Sequence, residues 1–402
     1  MECRLLGRMA VLLSARCHNG PGVQPLGGMT RRWQRGVEVN VVSERTHHKP
    51  ATRRTSERNT PVPRSSNGSE GHMRVLIAGG IFRESSAAQH QKQPTPEIVL
   101  AEGLRELGVT VETVPLEAIN RIARPRDFDL VHVHHQSKAA LICAGSPMRS
   151  VPMVFTQHAA IPKHTGRRLA LRLVLRRSDA VICLSKAERV EKQRLIGTGS
   201  KAQLVTIPNG IRPFGAIPDG PRSKPRQGFS LLYVGGLKPV KQVDRILFAL
   251  KGLPRSFRVR LVYHDSTLES ELRELAVTLN VIDRVAFIGQ RSGQALEKEY
   301  LEADALILPS RSESLPSCVT EALSMGLPVL VANCEGTPEQ VGDAGILLDP
   351  SPRVSLEPAV KAMWTDYARY AHSAYASIGR ITGNYSVEQM ISAHHDLYGR
   401  LI

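Results

Sequence analysis

No run in the 402-residue chain approaches the 18 or more apolar residues of a membrane span, which argues against an integral membrane protein. The six cysteines (Cys3, Cys17, Cys143, Cys183, Cys318 and Cys334) are scattered and form no C-x-x-C pair. They offer neither a disulfide framework nor a zinc site and suit a reducing compartment. Cys183 and Cys318 stand in apolar or helical surroundings, where cysteine behaves as a small hydrophobe. Aromatic residues make up only 4% of the chain, so there is little to stack on bases. With no zinc finger and no basic patch interleaved with aromatics, nucleic acid is not an expected partner.

Lys and Arg do exceed Asp and Glu, by 16 charges. Residues 1–72 hold 12 Lys/Arg against 5 Asp/Glu and so carry +7, while the other 330 residues carry 41 basic and 32 acidic side chains, or +9. That balance favours anionic ligands or an anionic membrane face. Residues 1–72 are rich in Arg, Ser, Thr, Pro and Gly without a sustained period, the composition of a disordered extension. The apolar stretch MAVLLSA is too short for a secretory signal, and Arg16 before Cys17 spoils a lipoprotein site. An Arg-rich transit peptide is opposed by the five acids. The other reading is an over-extended start, with Met73 as the natural one.

From Met73 onward strands and helices alternate, the signature of parallel sheets with both faces covered. MRVLIAGG, VTVETV, DLVHVHH, VPMVFT, DAVICLS and QLVTIP read as strands, with helices near 95–107, 137–145, 164–177 and 185–195. The turn signal Asn209-Gly210 ends this set, and GAIPDGPRSKPRQG follows as a linker. A second set has strands in FSLLYVGG, RVRLVY, RVAFIG, ALILPS, LPVLVA and GILLD. Its helices are expected near 241–251, 267–280, 293–303, 317–325 and 336–341, with one long helical segment over 355–378. A last helix closes the chain, with Ser386 and Gln389 as a capping box. The expected division is an N-terminal domain 73–213, a linker 214–228, a C-terminal domain 229–385 and a terminal helix 386–402. Two such doubly wound Rossmann-like α/β domains bind ligand in the cleft between their strand ends.

In SESLPSCVTEALSMGLP, Glu313 and Glu321 stand eight apart around a helix start, with Pro316 as an early helix residue and Gly326 as its terminator. Two readings fit the spacing. The acids are solvated neighbours of a helix N-terminus, whose dipole favours them. Or the free N–H groups of that N-terminus take a diphosphate while the carboxylates grip hydroxyls on either side.

The surrounding sequence, ALILPSRSESLPSCVTEALSMGLPVLVANCEGTPEQVGDAGILLDP, closely resembles the signature region of family-4 retaining glycosyltransferases. The E-x7-E pair, the A-x-x-x-G-x-P-V segment, the G-x-P-E step with Glu339 and the G-L-L-x-x-P strand are all present or nearly so. The resemblance extends from Met73 to the C-terminus. It implies the GT-B fold, with an acceptor domain over 73–213 and a nucleotide-sugar-binding domain over 229–385. It implies that Glu313 contacts donor sugar hydroxyls, that Glu321 contacts the ribose, and that the backbone at Ser314 and Leu315 lies against the sugar-diphosphate. Ser314-Leu315-Pro316 replaces the usual glycine-aromatic-glycine step, which puts donor preference in doubt.

LLYVGGLKPVKQVDRIL resembles the family's phosphate loop, with Gly235 and Gly236 beside the donor and Lys241 on the motif lysine. Family members carry an arginine where Gly236 stands; Lys238 is the candidate substitute. A solvated lysine at a helix start is the plainer reading of Lys241. His264 to Thr267 replace a G-x-G-P turn, and an Asp or Ser helix cap is the expectation there. In the first domain, Gly79 and Gly80 permit close backbone approach to donor or acceptor. His158, in VFTQHAA, matches the family histidine that faces the sugar, although a structural histidine fits the residues too.

His132 and His134 point to one face of their strand and His135 to the other, so no metal is assigned to them. Asp127-Phe128-Asp129 resembles the D-x-D of metal-dependent enzymes only by coincidence. GRRLALRLVLRRSD, with Arg167, Arg168, Arg172, Arg176 and Arg177, either docks on anionic lipid or packs its leucines on the sheet. The expectation is thus a retaining, metal-independent transferase with no cofactor, its donor a nucleotide-diphosphate sugar and its acceptor a polysaccharide or lipid-linked hydroxyl. Its expected place is the cytoplasm, at the inner membrane face. A catalytically silent sugar-nucleotide-binding protein and a GT-B epimerase are the alternatives.

Overall fold

A computed structural model of the chain describes residues 73–83, 95–121, 127–134, 151–158, 161–162, 164–215, 217–225 and 228–402. The extension over 1–72, the helix expected at 137–145 and His135 lie outside them.

The first sheet contains β1 (Arg74–Ala78), β2 (Thr110–Val114), β3 (Leu130–His134), β4 (Met153–Thr156), β5 (Ala180–Cys183) and β6 (Gln203–Thr206). All its pairings are parallel, in the order β2-β1-β3-β4-β5-β6. Helices α1 (Pro96–Glu106), α2 (Thr165–Arg177) and α3 (Lys186–Ile196) make the crossovers. Strands β1, β4 and β5 are buried from β1's second residue on, because helices cover both faces. Asp129 belongs to this frame: its Oδ2 accepts from the Arg74 backbone N–H at 2.8 Å, while Phe128 beside it is buried in the core.

The second sheet contains β7 (Phe229–Val234), β8 (Phe257–Val262), β9 (Val285–Gly289), β10 (Ala305–Leu308), β11 (Val329–Ala332) and β12 (Gly345–Leu348). It is also wholly parallel, in the order β12-β11-β10-β7-β8-β9. The order reverses between β7 and β10, the switch point where doubly wound sheets bind ligands. Around it lie α4 (Asp244–Gly252), α5 (Glu269–Thr278), α6 (Gly293–Glu302), α7 (Ser317–Ser324), α8 (Thr337–Val341), α9 (Glu357–Thr365) and α10 (Tyr367–Asn384).

The long helix expected over 355–378 is two helices, broken at Asp366. Asp366 still donates its N–H to Ala362, but φ −100° and ψ 29° re-aim the chain, and its carbonyl starts α10 by accepting from Arg369. The cause is Tyr367, which is buried against Phe229 and donates its hydroxyl to the Asp304 carbonyl at 3.0 Å.

The terminal helix α11 (Val387–Leu401) packs on the first sheet, where Val387, Met390, Leu397 and Tyr398 join the core of β1, β4 and α1. Its Ser386 cap accepts from the Gln389 N–H at 3.1 Å. At Gly103 a Cβ would lie 2.0 Å from Ile391 Cδ1, so a larger residue there would force the Ile391 side chain to move. The chain therefore crosses between the sheets twice, once near Ile211 and once near Tyr385. The crossings run side by side, with Ile211 N donating to Tyr385 O at 2.8 Å and Val387 N to Ile211 O at 3.3 Å. The expected linker is tied to the second sheet, where Arg222 donates to the carbonyls of Tyr300, Leu301 and Ala303. Among the described residues no helix is long and apolar enough to cross a membrane.

Candidate active site

Two loops flank the switch point of the second sheet. The loop after β7 turns at Gly235, where an added Cβ would lie 2.9 Å from the buried Tyr233 hydroxyl. That hydroxyl donates to Gly236 O at 2.8 Å and fixes the turn. A one-turn 3-10 helix, Pro239–Lys241, then presents Lys241, and Gln242 after it adopts a left-handed φ of 51°. The loop after β10 carries Glu313. Arg311 N donates to Val240 O at 2.8 Å and ties the two loops together.

Across this tie, Lys241 Nζ donates to Glu313 Oε1 at 2.5 Å, and Ser310 Oγ donates to the same oxygen at 2.6 Å. The plain reading of both residues as solvated is thereby set aside: their side chains are only 22% and 10% exposed. Lys238 is paired too, with Asp265 Oδ2 at 3.0 Å. Asp265 also accepts from Thr267 N at 3.0 Å and from Thr267 Oγ1, so it builds a turn two residues ahead of α5 and does not cap the helix. The Thr267 bonds and the Lys238 ammonium hold its carboxyl well below the usual range. Gly236 follows from this arrangement, because a Cβ there would meet Asp265 Cβ at 3.1 Å.

Helix α7 begins directly after the Glu313 loop. Pro316 is its cap residue, one step earlier than the sequence pattern places it, and no side chain caps the N-terminus. Gly326 ends the turn that follows it, at φ +63°. Glu321, one turn inside, is buried and accepts from the Tyr300 hydroxyl at 2.6 Å. Burial raises its pKa, and the tyrosine bond partly offsets that. These groups surround a cavity of about 390 Å³, whose lining includes Gly235, Gly236, Lys241, Glu313, Ser317 and Glu321. At its other end His264, Gln290 and Arg291 follow β8 and β9. The replaced G-x-G-P turn thus still borders the cavity.

The first sheet contributes a histidine network. His132 Nδ1 is 2.6 Å from the Tyr398 hydroxyl and its Nε2 is 2.8 Å from Thr156 Oγ1. His134 Nδ1 is 3.0 Å from His158 Nε2, the two rings stacked, and Glu97 Oε1 lies 3.6 Å from that same nitrogen. The ligand atoms of Glu97, His134 and His158 lie within 4.8 Å of one another. The nitrogen–nitrogen distance is that of an ordinary hydrogen bond, whose direction is set by the tautomers of the two rings. Burial, reinforced by neighbouring imidazoles, lowers the pKa of His132, and burial brings His394 down to about 4. Cys183 and Cys318, the expected small hydrophobes, have thiols raised by burial, to about 12 for Cys183.

The two halves meet at the Glu313 loop. Ser314 Oγ donates to His158 O at 3.4 Å, and Lys186 N, opening α3, donates to Glu339 Oε2 at 2.9 Å. Lys241, Glu313, Glu321, Gly235 and Gly236 are thus gathered around one cavity, with His158 next to its loop. Ser314 faces the first domain, and the Leu315 side chain is buried in the second core. Gly79 and Gly80 lie in the other half, outside the lining of this cavity. A Cβ on Gly79 would press on the Phe82 ring at 3.2 Å, whereas Gly80 has open space. Sequence reasoning missed Tyr300, Glu97, Asp265 as a lysine partner, and Glu335, whose carboxylate holds the Glu313 loop. Only Glu97, directly after a helix-opening proline, carried a local signal.

Known proteins match this architecture from both ends of the chain. The model for Glycosyltransferase Family 4 matches residues 31–213, and that for Glycosyl transferases group 1 matches residues 221–396. The chain belongs to the family-4 glycosyltransferases. It has the GT-B fold and is a glycosyltransferase. It is 29% identical over 288 residues to the glycogen synthase of Mycobacterium tuberculosis, covering 67% of this chain and 68% of that one. It is 27% identical over 428 residues to the D-inositol 3-phosphate glycosyltransferase of Rhodococcus opacus, covering 95% and 87%. Among solved structures, Thermosynechococcus elongatus sucrose-phosphate synthase superposes with a TM-score of 0.66 at 17% identity, over 82% of this glycosyltransferase and 99% of that chain. Anabaena HepE in complex with UDP-glucose gives 0.62 at 18%, over 82% and 100%.

Proposed function

We propose that this glycosyltransferase works with retention at the sugar carbon and without an obligatory metal ion, and that the 390 Å³ cavity is its donor site. The observation that carries the reading is the Lys241–Glu313 pair at the switch point. A diphosphate entering there competes for Lys241, and the exchange frees Glu313 Oε1 to accept from sugar hydroxyls. The uncapped start of α7 supplies further positive potential where the leaving diphosphate gathers charge. Glu321, deep in the cavity, suits a ribose hydroxyl. In a front-face reaction the leaving phosphate takes the acceptor's proton, so no protein base has to stand behind the sugar. His158 and the Ser314 contact line the entry for the acceptor. Closure of the two domains, held by Glu339 on the α3 start, excludes water that would hydrolyse the donor.

For the acceptor we propose a polysaccharide or lipid-linked hydroxyl at an anionic membrane face. Helix α2 buries Leu171, Val174 and Leu175 and exposes Leu169 and Leu173 at 56% and 55%, beside Arg168, Arg172 and Arg176. The buried leucines meet the packing reading of the helix, and the exposed pair beside the arginines supports the proposed lipid contact. Sedimentation with phosphatidylglycerol vesicles tests the surface: wild type pellets, and R168E/R172E stays in the supernatant with donor hydrolysis unchanged. Thermal-shift titration with UDP-, GDP- and ADP-sugars, followed by assay of nucleotide diphosphate release, tests the donor site. The reading is lost if none of these donors stabilises the protein.

A further inference from the structure

Among the described residues only three non-glycine residues have a positive φ: Gln242, Asn280 and Glu335. Two of the three adjoin the proposed donor groups. Gln242 follows Lys241, and Glu335, at φ +41°, sits beneath the Glu313 loop. A left-handed backbone on a long side chain is unfavourable and persists where the surroundings enforce it. For Glu335 the surroundings are explicit. Its Oε1 accepts from Ser312 Oγ and its Oε2 from the Glu313 backbone N–H, each at 3.0 Å. The next residue adds a third bond, Gly336 N to Ser314 O at 3.1 Å, and a Cβ on Gly336 would lie 2.4 Å from that oxygen. The Thr337 hydroxyl in turn binds the carbonyls of Ala332 and Cys334, which anchors the segment to the end of β11.

We propose that Glu335 is a positioning residue: its carboxylate fixes the 312–313 peptide so that the Glu313 side chain projects toward Lys241 and the donor sugar. This rests on the reading of Glu313 as a donor contact. A carboxylate has acceptor oxygens only, so it suits a loop that offers it a hydroxyl and an amide together. Glycine would satisfy the backbone at this position and abandon both bonds. The strain is thus kept for the orientation of the loop and not for stability, and this separates the proposal from a structural role.

The test uses the full chain with E335G and E335Q. Amide exchange over residues 310–316 is measured without donor, melting temperature alongside it, and then UDP release from UDP-glucose. E335G is expected to melt at or above the wild-type temperature, because glycine relieves the backbone. Its 310–316 amides are expected to exchange faster, and kcat to fall about tenfold with KM changed less than about threefold. E335Q keeps one acceptor oxygen and should lie between. The proposal is overturned if E335G matches wild type in exchange and kcat, or if its lost activity follows a lowered melting temperature. A wild type that releases no UDP counts against the donor reading itself, while the exchange comparison still decides whether Glu335 holds the loop.

Discussion

The two halves of the cleft are built from different chemistry. The second sheet offers ions, with Lys241 on Glu313 and Lys238 on Asp265. The first sheet offers imidazoles and hydroxyls, with His132, His134 and His158 linked through Thr156, Tyr398 and Glu97. A paired cation waits for an anion to displace its partner, which suits a diphosphate. A network of imidazoles and hydroxyls orients through directed hydrogen bonds, which suits a hydroxyl acceptor. The halves should therefore respond differently to charge deletion, to acid and to salt.

The largest contrast should come from K241A and E313Q. Either is expected to reduce transfer by about a hundredfold or more, since each removes a preorganised group at developing charge. Circular dichroism should show both folded. Equal loss from Gly79→Ala would erase the distinction between the halves.

Next in size is the crossing that joins them. At Gly210 a Cβ would lie 2.5 Å from Ser386 O and 2.6 Å from Val387 Cα, backbone atoms that cannot step aside. Gly210→Ala should cost about 1–3 kcal/mol in denaturant unfolding, and an unchanged midpoint would contradict the paired crossing.

Acid should act on the first half. The folded-state pKa values of His132 and His394 lie below 6.5, for His394 at about 4, so the unfolded chain binds more protons as pH falls through this window. Stability is then fully present above pH 6.5 and is lost toward pH 4. Because Tyr398 and His394 lie on α11, that helix should loosen first, as amide exchange would report. H394F is expected to flatten the profile. A profile as steep as wild type's would assign the loss elsewhere.

The smallest effect belongs to Asp265. D265N releases Lys238 toward the cavity and should tighten donor binding by about two- to fivefold at low salt, fading as salt is raised. Weaker binding would show that Asp265 itself serves the donor.

Much of this contrast was legible beforehand. Each described strand and the E-x7-E pair could be read from local pattern, because parallel strands buried on both faces are continuous apolar runs and because Gly, Pro and acidic residues mark the loops around them. The unread parts depend on distance along the chain. Glu321 meets Tyr300 across 21 residues and Glu313 meets Glu335 across 22, while α11 returns to a sheet whose last strand ends at Thr206. No periodicity encodes such meetings. The break at Asp366 was hidden for the same reason, since it depends on Tyr367 reaching Asp304. The extra cation expected at Lys238 could be named from sequence, but its partner Asp265 could not.

The account turns on one exchange of partners, and a crystal structure with UDP-glucose bound tests it most directly. The prediction is a diphosphate within hydrogen-bond distance of Lys241 Nζ and the start of α7, with the Glu313 carboxylate turned onto sugar hydroxyls. A donor bound elsewhere, with Lys241 still on Glu313 at its present 2.5 Å, would contradict it.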